Sequence, residues 1–328
     1  MNKKVILGIL ISIVLIYLSV KGINLQDVFR DLKNIQLSYV IFFILLVILM
    51  QLLRSYRWGV ILQPMGKIDQ FSLFSVTSVG FLAIAAIPAR IGELARPYLI
   101  SKRSSIKMSS ALGTILVERV LDSFTVLAIA VIVLFLTDLP PWMIKSSIIF
   151  FLLALVMFCF IVFLILRRDA ALKLINRILS KLPGKFAHTI DEVIHHFIDG
   201  FQIITNIKFL LYLFFLSALV WLVDVLAIYM LLKAFDFTLP VMASFVVMII
   251  LIVGIAIPTA PGYIGNWHFA CVLALSFFGL AKTEALSFAV VYHFLSMVIV
   301  VVLGVAFLPF NKFSISDMKN QLNYRKKD

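Results

Sequence analysis

Glu118, Arg119 and Asp122 place three ionisable groups within five residues of an otherwise apolar run. At helical spacing Glu118 and Asp122 share a face, and Arg119 lies three residues from Asp122, within reach of an ion pair. An Asp or Arg at the centre of a membrane helix costs about 2.5–3.5 kcal/mol on insertion scales, so the cluster needs a wet or paired setting. Either an internal ion pair closes a bundle here, or the residues line a polar pathway or proton site. A second cluster runs Pro88-Ala89-Arg90-Ile91-Gly92-Glu93-Leu94-Ala95-Arg96-Pro97. Pro88 removes a helix donor, and Gly92 lets the backbone turn or be approached closely. Arg90, Glu93 and Arg96 are spaced by threes, so a short helix puts them on one face. Two planar guanidiniums flanking a carboxylate suit a phosphate-bearing group, or else form an Arg–Glu–Arg bridge that fixes a hairpin.

The third cluster is Pro258-Thr259-Ala260-Pro261-Gly262-Tyr263-Ile264-Gly265-Asn266-Trp267-His268. Its prolines and glycines cannot continue a helix, and such backbone survives at membrane depth only when buried in protein or lining water. It leaves N–H groups at the start of the next helix, where the dipole favours an anion. Tyr263 and Trp267 read as interfacial anchors, and His268 either titrates near neutrality or caps. Asp224 and His293 are single polar groups in apolar runs, and Asp224 is expected to partner Arg119 or His293. His195 and His196 diverge around a helix with no third ligand near, which argues against a metal. No nucleophile–base pair, nucleotide cradle or metal spacing is present, so neither a cofactor nor a catalytic activity is expected.

The elements that position these clusters are apolar helices. The chain has 328 residues, 63% of them hydrophobic and 14% charged, too little polar surface for a soluble core. Candidate spans of roughly 20 residues are Val5–Val20, Tyr39–Leu53, Leu112–Leu136, Ile148–Leu166, Phe209–Leu232 and Ala285–Phe310. Phe71–Ile87 and Val241–Ile257 are shorter and stop at a proline, and Trp267–Leu280 is a further apolar stretch. Val5–Val20 lacks a cleavage site behind it and reads as a retained span. Cys159 and Cys271 fall inside apolar segments and read as buried small residues.

With the two short segments as re-entrant hairpins, 22 of the 29 basic residues fall on one side and 6 on the other. The positive-inside rule then puts both termini in the cytoplasm of a multi-pass cell-membrane protein. The same placement explains the net charge of +13 through anionic headgroups rather than nucleic acid. The expected architecture is an all-α polytopic membrane protein with about eight membrane segments. It forms a single membrane domain: a first half to about residue 166, an amphipathic cytoplasmic connection at 167–208, a second half at 209–310, and a basic tail at 311–328. Oligomeric state is not legible.

The halves resemble each other. Ala86-Ile87-Pro88 matches Ala256-Ile257-Pro258, and Ile91-Gly92-Glu93 matches Ile264-Gly265-Asn266. Ala111-Leu112 precedes Glu118-Arg119 at the spacing by which Ala285-Leu286 precedes Tyr292-His293. With the hairpins entering from opposite faces this is an inverted repeat, and broken helices at matching places point to a transporter's site.

Three signatures carry a resemblance: Pro88-x-Arg90-x-Gly92-Glu93-x-x-Arg96, Val117-Glu118-Arg119-x-x-Asp122 and Pro261-Gly262-x-x-Gly265. In this order they resemble the lysylphosphatidylglycerol synthase transmembrane-region family, the flippase-like part of the multiple peptide resistance factor, over roughly residues 5–310. The resemblance implies movement or handling of lipid-linked molecules. It puts functional weight on Arg90, Glu93, Arg96, Glu118, Arg119 and Asp122 and on the Pro261–Gly265 loop. The familiar loop ends in an acidic residue where this chain has His268, and often has Arg where this chain has His293. The expected partners are membrane lipids, and a separate lipid-modifying synthase or glycosyltransferase is a further candidate. The headgroup site is expected to comprise Arg90, Glu93, Arg96, Glu118, Arg119, Asp122, His268 and His293. Pro88, Gly92, Pro258, Pro261, Gly262 and Gly265 act as hinges. Alternatives are a membrane-embedded transferase acting on lipid-linked sugars or amino acids, and a non-transporting partner of a lipid-modifying enzyme.

Overall fold

A computed structural model describes residues 13–22, 33–86, 92–136, 152, 156, 207–256 and 261–311. Uninterrupted apolar sequence folds into helices because the backbone must satisfy its own polar groups in lipid. Among the described residues, four are long and apolar enough to cross a membrane: α1 (Leu37–Leu62), α4 (Met108–Leu136), α5 (Ile207–Ala234) and α8 (Lys282–Phe307). Between them lie the short apolar helices α2 (Gln70–Ala86) and α6 (Val241–Ala256). Each is followed by a proline-bearing segment, a single 3-10 turn and a brief helix, α3 (Ala95–Arg103) or α7 (Asn266–Ser276). Helix lengths run 26, 17, 9 and 29 residues in the first half and 28, 16, 11 and 26 in the second. The tripeptide matches therefore mark a repeated order: long, short, short, long. Among the described residues there is no strand. The protein is an all-α polytopic membrane protein.

Four expected spans appear as long helices, with one boundary corrected. The span expected to end at Leu53 continues through Leu62 as α1, so Arg54 and Arg57 are helical rather than loop residues. The stretch 88–107, expected as a connection, contains α3. Residues 13–20 of the first expected span are helical. The Ile148–Leu166 span, the 167–206 connection with His195 and His196, and the tail beyond Asn311 lie outside the described residues, apart from 152 and 156.

Helix ends are held by identifiable partners. The Asp69 carboxylate accepts the Ser72 N–H at 2.8 Å before α2, an N-cap contact. That bond holds its carboxyl below the usual carboxylate range. At the start of α8, the Glu284 carboxylate accepts the Ala281 N–H at 3.2 Å. Lys282 Nζ donates to the carbonyls of Leu18 and Lys21 at 2.8 Å each, answering acceptors that the 13–20 helix leaves open at its end.

The chain divides into two compact units. One comprises Met1–Ser55, Phe74–Arg96 and Leu219–Asp328, and therefore contains most of α2 together with all of α6, α7 and α8. In it the Gln36 N–H donates to Ala234 O at 2.8 Å, joining the start of α1 to the end of α5. α2 lies along α8: Asn311 Nδ2 donates to Ser75 Oγ at 2.7 Å, and the Phe74 and Phe307 rings meet at 5.2 Å. Farther on, Gly304 lies so close to Leu82 that a Cβ there would stand 2.4 Å from the leucine Cβ. These contacts run in antiparallel order. In the second hairpin, Asn266 Nδ2 donates to Gly254 O at 2.8 Å, tying the start of α7 back to α6.

The other unit comprises Tyr56–Leu73 and Pro97–Ala218. Ile61, Val117, Leu121 and Leu213 form its buried cluster. Trp58 Nε1 donates to Thr114 Oγ1 at 2.9 Å, and the Tyr56 and Tyr212 hydroxyls share a bond of 3.0 Å.

Gly92 is the tightest test of the first hairpin. A Cβ there would sit 2.3 Å from the Ala83 carbonyl oxygen, which is backbone and cannot swing aside. At Gly66 the nearest atom to an added Cβ is an Ile106 side-chain carbon at 3.8 Å. Gly92→Ala should therefore cost about 1–3 kcal/mol, as overpacking does, while Gly66→Ala should stay within about 0.5 kcal/mol. Melting of the two purified variants in detergent checks this, and equal midpoints would count against the close hairpin.

Candidate functional site

Two polar centres emerge, one in each unit. In the unit beginning at Tyr56, the Arg57 side chain is 2% exposed on α1. Its guanidinium donates to both oxygens of Asp122, the Nη2–Oδ2 distance being 3.1 Å. It also reaches Glu118 Oε1 at 3.4 Å and Ser217 Oγ at 2.7 Å. The i, i+4 spacing of Glu118 and Asp122 points both carboxylates at one fork, the geometry that Arg matches bidentately. Arg119 is exposed on α4, and among the described residues no ion pair joins it to Asp122. The expected Arg119–Asp122 pair is thus replaced by Arg57–Asp122. One residue along a helix turns the side chain by about 100° from Glu118, away from the shared face.

The other centre is built on Phe81 of α2. The Arg54 guanidinium lies 5.4 Å from the Phe81 ring centre and 5.7 Å from that of Trp221. Arg96, 3% exposed, approaches the same Phe81 ring at 6.0 Å. Its stem crosses Gly80, where a Cβ would stand 2.2 Å from Arg96 Cγ. Two cations on one ring are held by its quadrupole, while their N–H donors lie in the guanidinium planes. Asp224, one turn beyond Trp221 on α5, is within electrostatic reach of Arg54, and Tyr292 within reach of both. The expected partner of Asp224, Arg119 or His293, is corrected to Arg54.

From Tyr292 the centre continues as packed rings. Tyr292 meets Trp267 at 4.9 Å and Phe43 at 5.9 Å. His293 lies 5.2 Å from Trp267 and 5.0 Å from His268, the two imidazoles edge to face. His293 Nε2 is 2.7 Å from the Gly262 carbonyl oxygen. A carbonyl only accepts, so that nitrogen carries the hydrogen. Gly262 sits at φ +71°, a turn that an L side chain would strain. The turn between α6 and α7 is therefore fastened to α8.

The expected site residues fall into separate places. Arg96, His268 and His293 belong to the Phe81 unit, with Glu93 half-buried in the 3-10 turn before α3. Gly92 packs on α2, Pro261 opens the second turn, and Gly265 stands before α7 at φ +97°. Glu118 and Asp122 are bound by Arg57, and Arg119 stands apart from them. Arg90, Pro88 and Pro258 lie outside the described residues. Sequence reasoning missed Arg54, Arg57, Phe81 and Trp221. Its available signal was the apolar continuation Tyr56, Trp58, Val60, Ile61, Leu62, which carries a helix past both arginines. Among the described residues, no group of three or more His, Cys, Asp or Glu is arranged to hold a metal.

The family described as lysylphosphatidylglycerol synthase TM region matches residues 5–304. The chain belongs to that family. The match takes in both halves, including the Arg57 cluster and the rings around His293. A UPF0104 membrane protein of Methanothermobacter thermautotrophicus is 24% identical over 97% of this chain and 98% of its own length. A UPF0104 membrane protein of Methanocaldococcus jannaschii is 25% identical over 90% of this chain and 91% of its own. No solved structure matches the chain.

In this family member the Arg57 cluster invites a stability test. Removing one side of a buried ion group costs about 3–5 kcal/mol, because the opposite charge is left uncompensated. Arg57→Leu should lower the melting point sharply, and adding Glu118→Gln and Asp122→Asn should recover most of the loss. A triple variant no more stable than the single one would show that these charges do not answer one another.

Proposed function

We propose that the chain is a flippase-like transporter of the cell membrane that translocates a lipid bearing an anionic phosphate headgroup. The observation that carries this reading is the pair of guanidiniums, Arg54 and Arg96, gathered on Phe81 beside Asp224. Arg54 is eight residues, about 12 Å, from the end of a span-length helix. Cations at such depth are costly unless they serve partners or a polar path. A phosphate matches planar donors, and the Phe81 ring gathers both guanidiniums on one support.

The repeated order of long and broken helices supports alternating access by two hairpins entering from opposite faces, with both termini cytoplasmic. Family membership supports lipid as the cargo. Glu118 and Asp122, held by Arg57, are assigned to closing the bundle rather than to a cationic headgroup.

Transport of a labelled anionic phospholipid in proteoliposomes tests the reading. Arg54→Gln and Arg96→Gln should each lower the rate at least about tenfold, the scale of one lost charge-assisted contact. Lys102→Gln, altering an exposed residue on α3, should not. Wild-type rates in both arginine variants would end the proposal.

A further inference from the structure

We infer that the rings at the start of α7 and in the middle of α8 form a subsite for a hydroxylated ring, a sugar or cyclic polyol carried on the lipid phosphate. The inference rests on the phosphate reading above and names the substrate class. Trp267 is 9% exposed, and its indole Nε1 is buried with no hydrogen-bond partner. The neighbouring His268 Nδ1 is buried and unpartnered as well. A buried polar atom without a partner costs more than a made bond returns, so two in adjacent residues point to a ligand that completes them. They sit in one aromatic group, with His293 5.2 Å from Trp267 and 5.0 Å from His268.

The chemistry selects among headgroups. The indole nitrogen only donates, whereas a neutral imidazole offers His268 Nδ1 as an acceptor in one of its tautomers. A second phosphate or a carboxylate could only accept, and an ammonium could only donate. Hydroxyl groups do both, and a sugar ring adds apolar C–H faces that lie against Trp267 and Tyr292. A lysyl ammonium would call for a carboxylate against it, whereas the side chains packed on Trp267 are Tyr292 and His293. The subsite adjoins the phosphate centre, because Tyr292 touches Trp267 at 4.9 Å and lies within electrostatic reach of Asp224 and Arg54. Both unpartnered atoms are closed to solvent in this conformation, so a ring reaches them once the His293–Gly262 bond opens and releases the Pro261–Gly265 turn to move on its two positive-φ glycines.

Binding to the full chain in detergent separates the possibilities, using phosphatidic acid, phosphatidylinositol, phosphatidylglucose and lysyl-phosphatidylglycerol with matched acyl chains. Wild type should bind the two ring-bearing lipids about tenfold more tightly than phosphatidic acid, the sum of two hydrogen bonds. Trp267→Phe keeps the ring and removes the N–H, and should bring that ratio to within about twofold. His268→Ala should act in the same direction and serves if the tryptophan variant fails to fold. Equal binding of ring-bearing lipids and phosphatidic acid, tightest binding of lysyl-phosphatidylglycerol, or an unchanged ratio in the folded variants would overturn the subsite. Failure of the phosphate reading looks different: with Arg54→Gln and Arg96→Gln combined, affinity for phosphatidic acid itself would stay at the wild-type level.

Discussion

A charge carried to membrane depth has to be answered inside the protein, and α1 carries two. Arg54 and Arg57 stand three residues apart and are answered in contrasting ways. Arg57 meets two carboxylates and a hydroxyl through its two terminal nitrogens, which fixes it. Arg54 rests on two ring faces and lies within electrostatic reach of Asp224. The first arrangement is a clamp: removing the arginine leaves two carboxylates facing each other without a counter-charge. The second holds a cation against ring faces, with its N–H donors in the guanidinium plane.

The broken helices make the second arrangement geometrically available. A continuous helix presents side chains only outward, whereas a hairpin that turns back at depth brings a second element against the first. Arg96 reaches Phe81 because the chain has turned at Gly92 and because Gly80 lets its stem cross α2 without a Cβ in the way. In the second hairpin, the carbonyl at Gly262 is available to His293 because the left-handed turn directs it away from helical bonding. Backbone irregularity at depth is therefore the device that aims both the arginine and the imidazole.

Much of the architecture was legible because apolar length and proline position are written locally. The long helices, the two short ones and the order of the halves follow from composition and breakers. The polar Glu118 and Asp122 were also found, since ionisable residues stand out in apolar runs. Their partner was not. Arg57 lies where an apolar window ends, so a charge there reads as loop. Only the long-range return of α4 to α1 shows it to be core. The Arg119–Asp122 expectation failed for a related reason. Spacing of three permits a pair, but a fork arriving from another helix binds two carboxylates where Arg119 could bind one. Asp224 was similarly misassigned, because cation–aromatic support for Arg54 leaves no mark in sequence spacing.

The repeat carries a last consequence. Arg119 and His293 occupy equivalent positions in the two halves, yet one is exposed and the other is 8% exposed and hydrogen-bonded to a turn. Their neighbours differ in the same sense. Glu118 is held by an arginine from another helix, whereas Tyr292 is enclosed by Phe43, Trp267 and Phe288. The duplicated backbone thus keeps its breaks while the side chains on it have parted, one span carrying ions and its counterpart rings. A symmetric pair of sites would demand equal chemistry at both places. The observed asymmetry instead gives each half its own chemistry, rings packed beside a fastened turn on α8 and carboxylates gathered on an arginine at α4.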